Sequence, residues 1–447
     1  MRRKRRQRKR VNLGVRLQQR LWKERWPLAF VSVLLLVEGS ARGFAPQLPE
    51  WRANDPKGVI MSGHPTRLWG MSEGVKQNIG ATANVNELGF RGPIPELPRD
   101  EGHQRIIVLG DSSFFGHGVE DNETMEVVLE LHLQREGIDV DVVNAGIPGY
   151  STEQALLWLE DEGWDLDPTL LLLGTLWSDT NWDAFRDKDL LKSRRFARLN
   201  PLASSAAFRL IVGWVGGLLQ ADGGQVVVWS QRDGWPSTGM RRVPIRDYAE
   251  NLEKLIFNAK DRGVGAMFVA PTAREDMARL AAMDEKQRDQ GAKALWTEPC
   301  GDEEWDPYFE VQRRVASLHQ LPLADMSVDY FERVAQPSRS EPGQFEVTTD
   351  GLERIYMDMV HPTVLGHLLL GSRVGQVLLE SGWPSDSLIT TQDRAEDWTG
   401  VAGFDDRWLA VEQQGNPLSP HVQLFEGVDY KSVPVDPNIE SILQPSR

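Results

Sequence analysis

A serine hydroxyl becomes a useful nucleophile when a base can take its proton and fixed donors can hold the charge on the attacked oxygen. Three fragments of this chain carry the residue types that chemistry needs. Gly110-Asp111-Ser112-Ser113 follows directly on an apolar run, RIIVLG at 105–110. A serine where a buried strand turns into a helix exposes its Oγ at the strand's carboxyl edge, with N–H groups aimed at any oxyanion formed there. Far downstream stands Asp358-Met-Val-His361-Pro362. A carboxylate three residues before a histidine, within one turn, can fix the imidazole tautomer and stabilise its protonated form. Between them, Asn144-Ala-Gly146-Ile-Pro-Gly149-Tyr-Ser151 closes a second apolar run, and its glycines allow close backbone approach and N–H donation. Each fragment alone is commonplace: a chance tripeptide, a strand-to-helix turn, a surface Asp–His pair. Their positions in one repeating pattern give them weight.

That pattern alternates strands with helices. Short apolar runs at 105–110, 140–143, 169–173, 264–270 and, more weakly, 322–326 read as buried parallel strands. Helical periodicity falls between and after them, at 122–136, 152–162, 247–262, 306–319 and 362–381. In the first of these helices Met125, Val128, Leu129 and Leu133 share one face. The fold class is α/β, a three-layer α/β/α doubly wound parallel sheet that places ligands at the carboxyl ends of its strands. The fragments above sit at those ends. Residues 46–104, rich in Pro and Gly, read as an extended arm over a domain spanning 105–382. An insertion at 183–246 contains ten apolar residues, LIVGWVGGLL at 210–219, too short to span a bilayer. They read as a helix capping the core, with a membrane-surface contact as the alternative. Residues 284–304 read as a polar surface loop, and 383–447 as a tail that wraps the domain or trails in solvent.

The chain has 447 residues, 40% hydrophobic and 26% charged, enough apolar material for a large core and too much for global disorder. Its single cysteine, Cys300, rules out an internal disulfide and a thiolate metal cage. Charge is sharply divided. Residues 1–26 hold twelve Lys or Arg and one acid, a net +11 against −15 for the whole chain, so the remainder carries −26. An acidic body does not resemble a nucleic-acid-binding surface. The apolar run PLAFVSVLLLV at 27–37, directly after the arginines, accounts for the basic end. A basic segment before a short apolar one marks either a secretory signal cut near Gly39-Ser40-Ala41 or a retained signal anchor over 26–45. The retained anchor is the preferred reading, with Glu38 and Arg42 paired at i,i+4 near its far end. Positive flanks stay in the cytoplasm, so both readings send the acidic body out of it.

Other chemistry fits poorly. The eight histidines include no His-x-x-x-His or His-Glu-x-x-His pair, which argues against a zinc enzyme. No phosphate-cradling Gly-x-x-x-x-Gly-Lys-Ser/Thr occurs, and the glycines at 110–118 do not match the Gly-x-Gly-x-x-Gly spacing. No cofactor is implied. His367 falls inside the closing helix and reads as a packing residue.

Taken together, the three fragments resemble the GDSL/SGNH hydrolase family, and Asn86-x-x-Gly89-Phe90-Arg91-Gly92 with the Glu38…Arg42 anchor end is similar to its membrane-anchored bacterial members. The resemblance spans about residues 105–382 and implies a flavodoxin-like hydrolase fold. It implies Ser112 as nucleophile, His361 as base and Asp358 as its orienting carboxylate, with the N–H groups of Ser112 and Gly149 holding the oxyanion. One block departs from the family pattern. Where members carry Gly-x-Asn-Asp, this chain reads Gly174-Thr-Leu-Trp-Ser178-Asp179-Thr-Asn181, so Ser178 replaces the expected Asn donor, with Asn181 as a substitute. Trp177 and Trp182 flank that block and are candidates to stack on a sugar ring. The expected activity is a serine esterase or deacylase of acyl, foremost O-acetyl, esters on envelope carbohydrate or lipid, anchored in a bacterial inner membrane and facing the periplasm. Two alternatives stand beside it: an O-acyltransferase acting on a polysaccharide, and an inactive glycan-binding module of an envelope polysaccharide machine.

Overall fold

The computed structural model describes residues 29, 31–43, 52–53, 61–64, 66–175, 177–183, 186–192, 205–207, 240–283, 306–339 and 344–393. The apolar run at 210–219, the loop at 284–304, the whole basic end at 1–26 and the tail beyond 393 lie outside them. The chain divides into two units, 1–50 with 194–225 and 51–193 with 226–447.

In the smaller unit residues 31–43 are helical, and Val31 and the run Val33 to Val37 are exposed on it. Arg42 Nε donates to Glu38 Oε1 at 3.1 Å, the i,i+4 pair expected from the sequence. Glu38 also accepts from Ser205 Oγ at 2.7 Å and from the N–H groups of Ala206 and Ala207. Among the described residues no helix is long and apolar enough to cross a membrane, so the anchor expected over 26–45 is described only as this shorter helix.

The larger unit is built on a five-stranded sheet: β1 (Gln104–Gly110), β2 (Val140–Gly146), β3 (Leu170–Leu173), β4 (Gly265–Ala270) and β5 (Leu323–Asp325). Every pairing is parallel and the order is 2-1-3-4-5. The four leucines of β3 and all six residues of β4 are buried, which is why these strands read as continuous apolar runs. The chain reverses direction across the sheet after β2. Right-handed crossovers therefore put the helix Met125–Arg135 on one face and Thr152–Asp161, Ile245–Lys260 and Asp306–Leu318 on the other. The closing helix Val364–Glu380 packs on Met125–Arg135 and completes the first layer.

The point of reversal, between β1 and β3, is where a doubly wound sheet opens a crevice at its carboxyl edge. Glycine ends β1 and follows β3 for a steric reason. A Cβ on Gly110 or Gly174 would lie 2.4 or 2.1 Å from the Phe114 side chain, so only glycine lets the helix Ser112–Phe115 fold directly over the strand ends.

Where the sequence suggested an extended arm over 46–104, the described residues of that stretch form strand pairs. Met61–His64 pairs with Leu68–Met71, and Gly74–Asn78 pairs with Ala81–Val85, both antiparallel. Ile79 and Gly80, both at positive φ (49° and 91°), make the two-residue turn that a right-twisted hairpin prefers. At the other end packing continues past 382. Ala266 N–H donates to Leu388 O and Lys260 Nζ to Gln392 O, so the first part of the tail lies against the start of β4.

Candidate active site

Asp111 caps the four-residue helix Ser112–Phe115, its Oδ1 accepting from Ser113 N–H at 3.0 Å. The cap leaves Ser112 as the first helical residue, at the tip of β1. The acid–histidine loop comes from the far end of the domain. Asp358 Oδ1 accepts two backbone N–H groups, Val360 and His361, each at 2.9 Å. Its Oδ2 lies 2.6 Å from His361 Nδ1, and His361 Nε2 lies 2.7 Å from Ser112 Oγ. Arg274 N–H donates to Met359 O and Ser113 Oγ to Val360 O, which ties this loop to the sheet edge. Residues 249 positions apart in sequence are thus joined in one hydrogen-bonded chain.

Charge in the site follows from burial and pairing. Burial opposes a charge on His361, yet the Asp358 carboxylate beside it more than offsets this and raises its pKa. Burial pushes Asp358 the other way, but the His361 charge and three hydrogen bonds hold it below the usual carboxylate range. A neutral His361 held this way carries its proton on Nδ1 and turns a lone pair on Nε2 toward Ser112.

The oxyanion side depends on backbone. Residues 147–150 form a turn closed by Tyr150 N–H on Ile147 O at 3.0 Å, with Gly149 at φ +77°. Pro at the second position and a positive φ at the third define a type II turn. Neither the Ser112 N–H nor the Gly149 N–H makes a hydrogen bond among the described residues, which leaves both available to a ligand oxygen.

The other expected site residues have different work. Ser178 gives both its N–H and its hydroxyl to Asp111 Oδ2, at 2.9 and 3.0 Å. Its one hydrogen is therefore committed to a carboxylate and not aimed at an oxyanion. Asn181 accepts Arg242 N–H through its backbone carbonyl. Trp177, a candidate sugar platform, is buried with its ring edge-on to Phe309 at 5.4 Å, a core contact. A helix of only four residues gives no periodicity from which to read that direction. The side chain of Trp182 lies outside the described residues. His367 is buried in the closing helix, as a packing residue should be, and burial pushes its pKa down to about 3.

Several neighbours escaped the sequence reading. His117 stands edge-on to His361 with ring centres 5.1 Å apart, and its Nδ1 lies 3.1 Å from Asn78 Oδ1. Burial, then the nearby His361 charge, holds its pKa well below the ordinary value, so His117 is neutral. Asn78 belongs to the second hairpin and also donates to Gly116 O and Val119 O. Arg91, from the Asn86–Gly92 motif, donates to the carbonyls of Phe115, Gly116, Val119 and Thr82 and pairs with Asp121 at 2.7 Å. The second hairpin and the Asn86–Gly92 motif thus grip the loop that follows the nucleophile. No local pattern marks Asn78 or His117; Arg91 at least had a motif around it.

No family model matches the chain, and no curated protein matches it. Among solved structures it is similar to a lipase/acylhydrolase from Enterococcus faecalis at 16% identity and a TM-score of 0.36, over 65% of this chain and 100% of that one. An acetyl xylan esterase aligns at 14% identity and 0.34, over 61% and 98%. A GDSL-like lipase from Bacteroides thetaiotaomicron aligns at 12% and 0.31, over 64% and 93%. At such scores these likenesses carry no weight for function, which rests on the geometry above.

Proposed function

We propose that the chain is a serine hydrolase of acyl esters. The observation that carries this reading is the unbroken line from Asp358 through His361 to Ser112, at 2.6 and 2.7 Å, with the Ser112 and Gly149 N–H groups uncommitted. In the reaction Ser112 Oγ attacks the ester carbonyl as its proton passes to His361 Nε2. The carbonyl oxygen becomes an anion held by the N–H groups of Ser112 and Gly149. Collapse expels the alcohol, which takes the proton from His361 and leaves an acyl group on Ser112. Water then gives its proton to His361, attacks the acyl carbonyl and releases the carboxylic acid, and the proton returns to Ser112. Asp358 holds the imidazole in register throughout and stabilises the imidazolium.

The substrate class we propose is an acyl ester, foremost an O-acetyl ester, on carbohydrate or lipid of the bacterial envelope. Its support is a sequence pattern: a basic segment of net +11 before an apolar run is what an inner-membrane anchor with its acidic body outside the cytoplasm would carry. The test is p-nitrophenyl acetate turnover by the full chain in detergent beside its Ser112→Ala variant, with fluorophosphonate labelling of both. Turnover and labelling that vanish in the variant support the reading. Equal rates in the two proteins overturn it.

A further inference from the structure

The hole has an unusual demand placed on it. With the Ser178 hydroxyl turned to Asp111, the oxyanion falls to two backbone N–H groups, and one of them sits in a turn that can flip. Type I and type II turns differ by roughly a half-rotation of their central peptide. In residues 147–150 that peptide is Pro148 C=O with Gly149 N–H. A flip would turn the donor away from Ser112.

Two side chains from distant parts of the chain hold it. Trp69, on the strand Leu68–Met71, donates its Nε1–H to Pro148 O at 3.0 Å in a buried contact. That oxygen belongs to the same amide as the Gly149 N–H. The bond therefore fixes the orientation of the donor and, by drawing electron density toward the oxygen, makes its N–H a stronger donor. Arg242 holds the next peptide, donating NH1 to Gly149 O at 2.8 Å. Its other nitrogens are committed to Asp187, at 3.0 and 2.7 Å, and to Gln154 Oε1 at 3.0 Å. Arg242 and Asp187 are 1% and 0% exposed, and Ser151 Oγ adds a bond to Asp187 at 2.6 Å, so the guanidinium cannot swing away. The guanidinium also stacks over the Trp69 ring at 5.2 Å, joining the two clamps.

We propose that Trp69 and Arg242 are positioning residues for the oxyanion hole, locking the type II turn so that Gly149 N–H faces the reacting carbonyl. The inference rests on the esterase reading and adds to it a role for the hairpin region and for the end of the 183–246 insertion. Both side chains are buried and act through the turn.

The test compares Trp69→Phe, which keeps a ring beneath Arg242 but removes the N–H, with Tyr330→Phe. Tyr330 OH donates to Gly366 O at 3.0 Å, a buried bond of the same kind that touches neither the turn nor its two clamps. Rates come from p-nitrophenyl acetate and transition-state affinity from phenylboronic acid inhibition, both on the full chain. Trp69→Phe should lower kcat by about tenfold to a hundredfold, a part of the loss of a whole oxyanion donor. KM and the pH midpoints should stay at wild-type values, and the boronate inhibition constant should rise by the same factor as kcat/KM falls. Tyr330→Phe should stay within about threefold of wild type. Arg242→Lys, checked for folding by near-ultraviolet circular dichroism, should shift kcat in the same direction as Trp69→Phe. Equal losses in the two aromatic variants, or a Trp69→Phe enzyme within about threefold of an active wild type, overturn the inference and leave the esterase reading standing. A wild type without turnover overturns both.

Discussion

Replacing Asp358 by Asn is the sharpest probe of the proposed mechanism, because the structure dictates which way the new amide must point. Oδ1 of Asp358 accepts two backbone N–H groups, from Val360 and His361. In Asp358→Asn that position can be occupied only by the amide oxygen, since an NH2 there would face two donors. The NH2 is then forced opposite His361 Nδ1, 2.6 Å away in the wild type. It donates where the carboxylate accepted, so Nδ1 must become the acceptor and the ring proton moves to Nε2. Nε2–H now points at Ser112 Oγ and cannot take its proton. The same tautomer error in a serine protease triad costs about 10⁴ in kcat, equivalent to about 5.4 kcal/mol of barrier. The fold should tolerate the change, because both N–H groups keep their acceptor. The assay is p-nitrophenyl acetate turnover, with Tm measured alongside. The expected result is a loss of about 10⁴ in kcat with KM and Tm little changed. A loss under about tenfold in a folded protein would refute the assignment of Asp358 as orienting group.

Three further outcomes follow from the geometry. The base must be neutral and its pKa is raised, so kcat/KM should rise with pH through a midpoint above 6.5; a midpoint at or below that value contradicts the Asp358–His361 pairing. Ser178→Ala should keep kcat within about fivefold of wild type, whereas removal of a true oxyanion donor costs about 10²–10³; a loss of that larger size would show that its hydroxyl turns to the substrate. Burial pushes the Glu126 carboxyl up from 4.5 to about 8. The folded state therefore keeps a proton that the unfolded chain has released, and this residue's contribution to stability falls as pH rises between those values, by on the order of a few kcal/mol. Melting curves should show Glu126→Gln gaining on wild type from pH 5 to pH 9, and a constant difference would refute the shift.

What the sequence revealed divides along a physical line. Ser112, Gly149, Asp358 and His361 stand in short contiguous fragments at strand or helix ends, where local spacing is itself the geometry. The strands were legible because β3 and β4 are buried on both faces and so read as unbroken apolar runs. Trp69, Asn78, Asp187 and Arg242 left no local trace. Each acts through bonds to partners far away in the chain, 79 positions for Trp69 with Pro148 and 93 for Arg242 with Gly149. A tryptophan in a hairpin and an arginine after an insertion look like any others until the fold brings them together. Trp177 fails for the opposite reason: its place beside the third block suggested a ligand contact, but the short helix that carries it turns the ring into the core.

Ser178 shows how one replacement redistributes work across the site. Asp111 is fully buried, and burial raises its pKa against the bonds that stabilise its anion. A buried carboxylate is tolerated only when donors satisfy it. Ser113 N–H supplies one, and Ser178 supplies two through its N–H and its hydroxyl. Because Asp111 caps the helix that begins at Ser112, those donors fix the direction of the nucleophile. The third block therefore serves the nucleophile through Asp111, and the oxyanion is left to backbone. A backbone donor is only as good as the peptide plane that carries it. That is why a clamp on each side of Gly149 matters here: the side chain that could have shared the charge is turned to Asp111, and the precision of one turn has to make up for it.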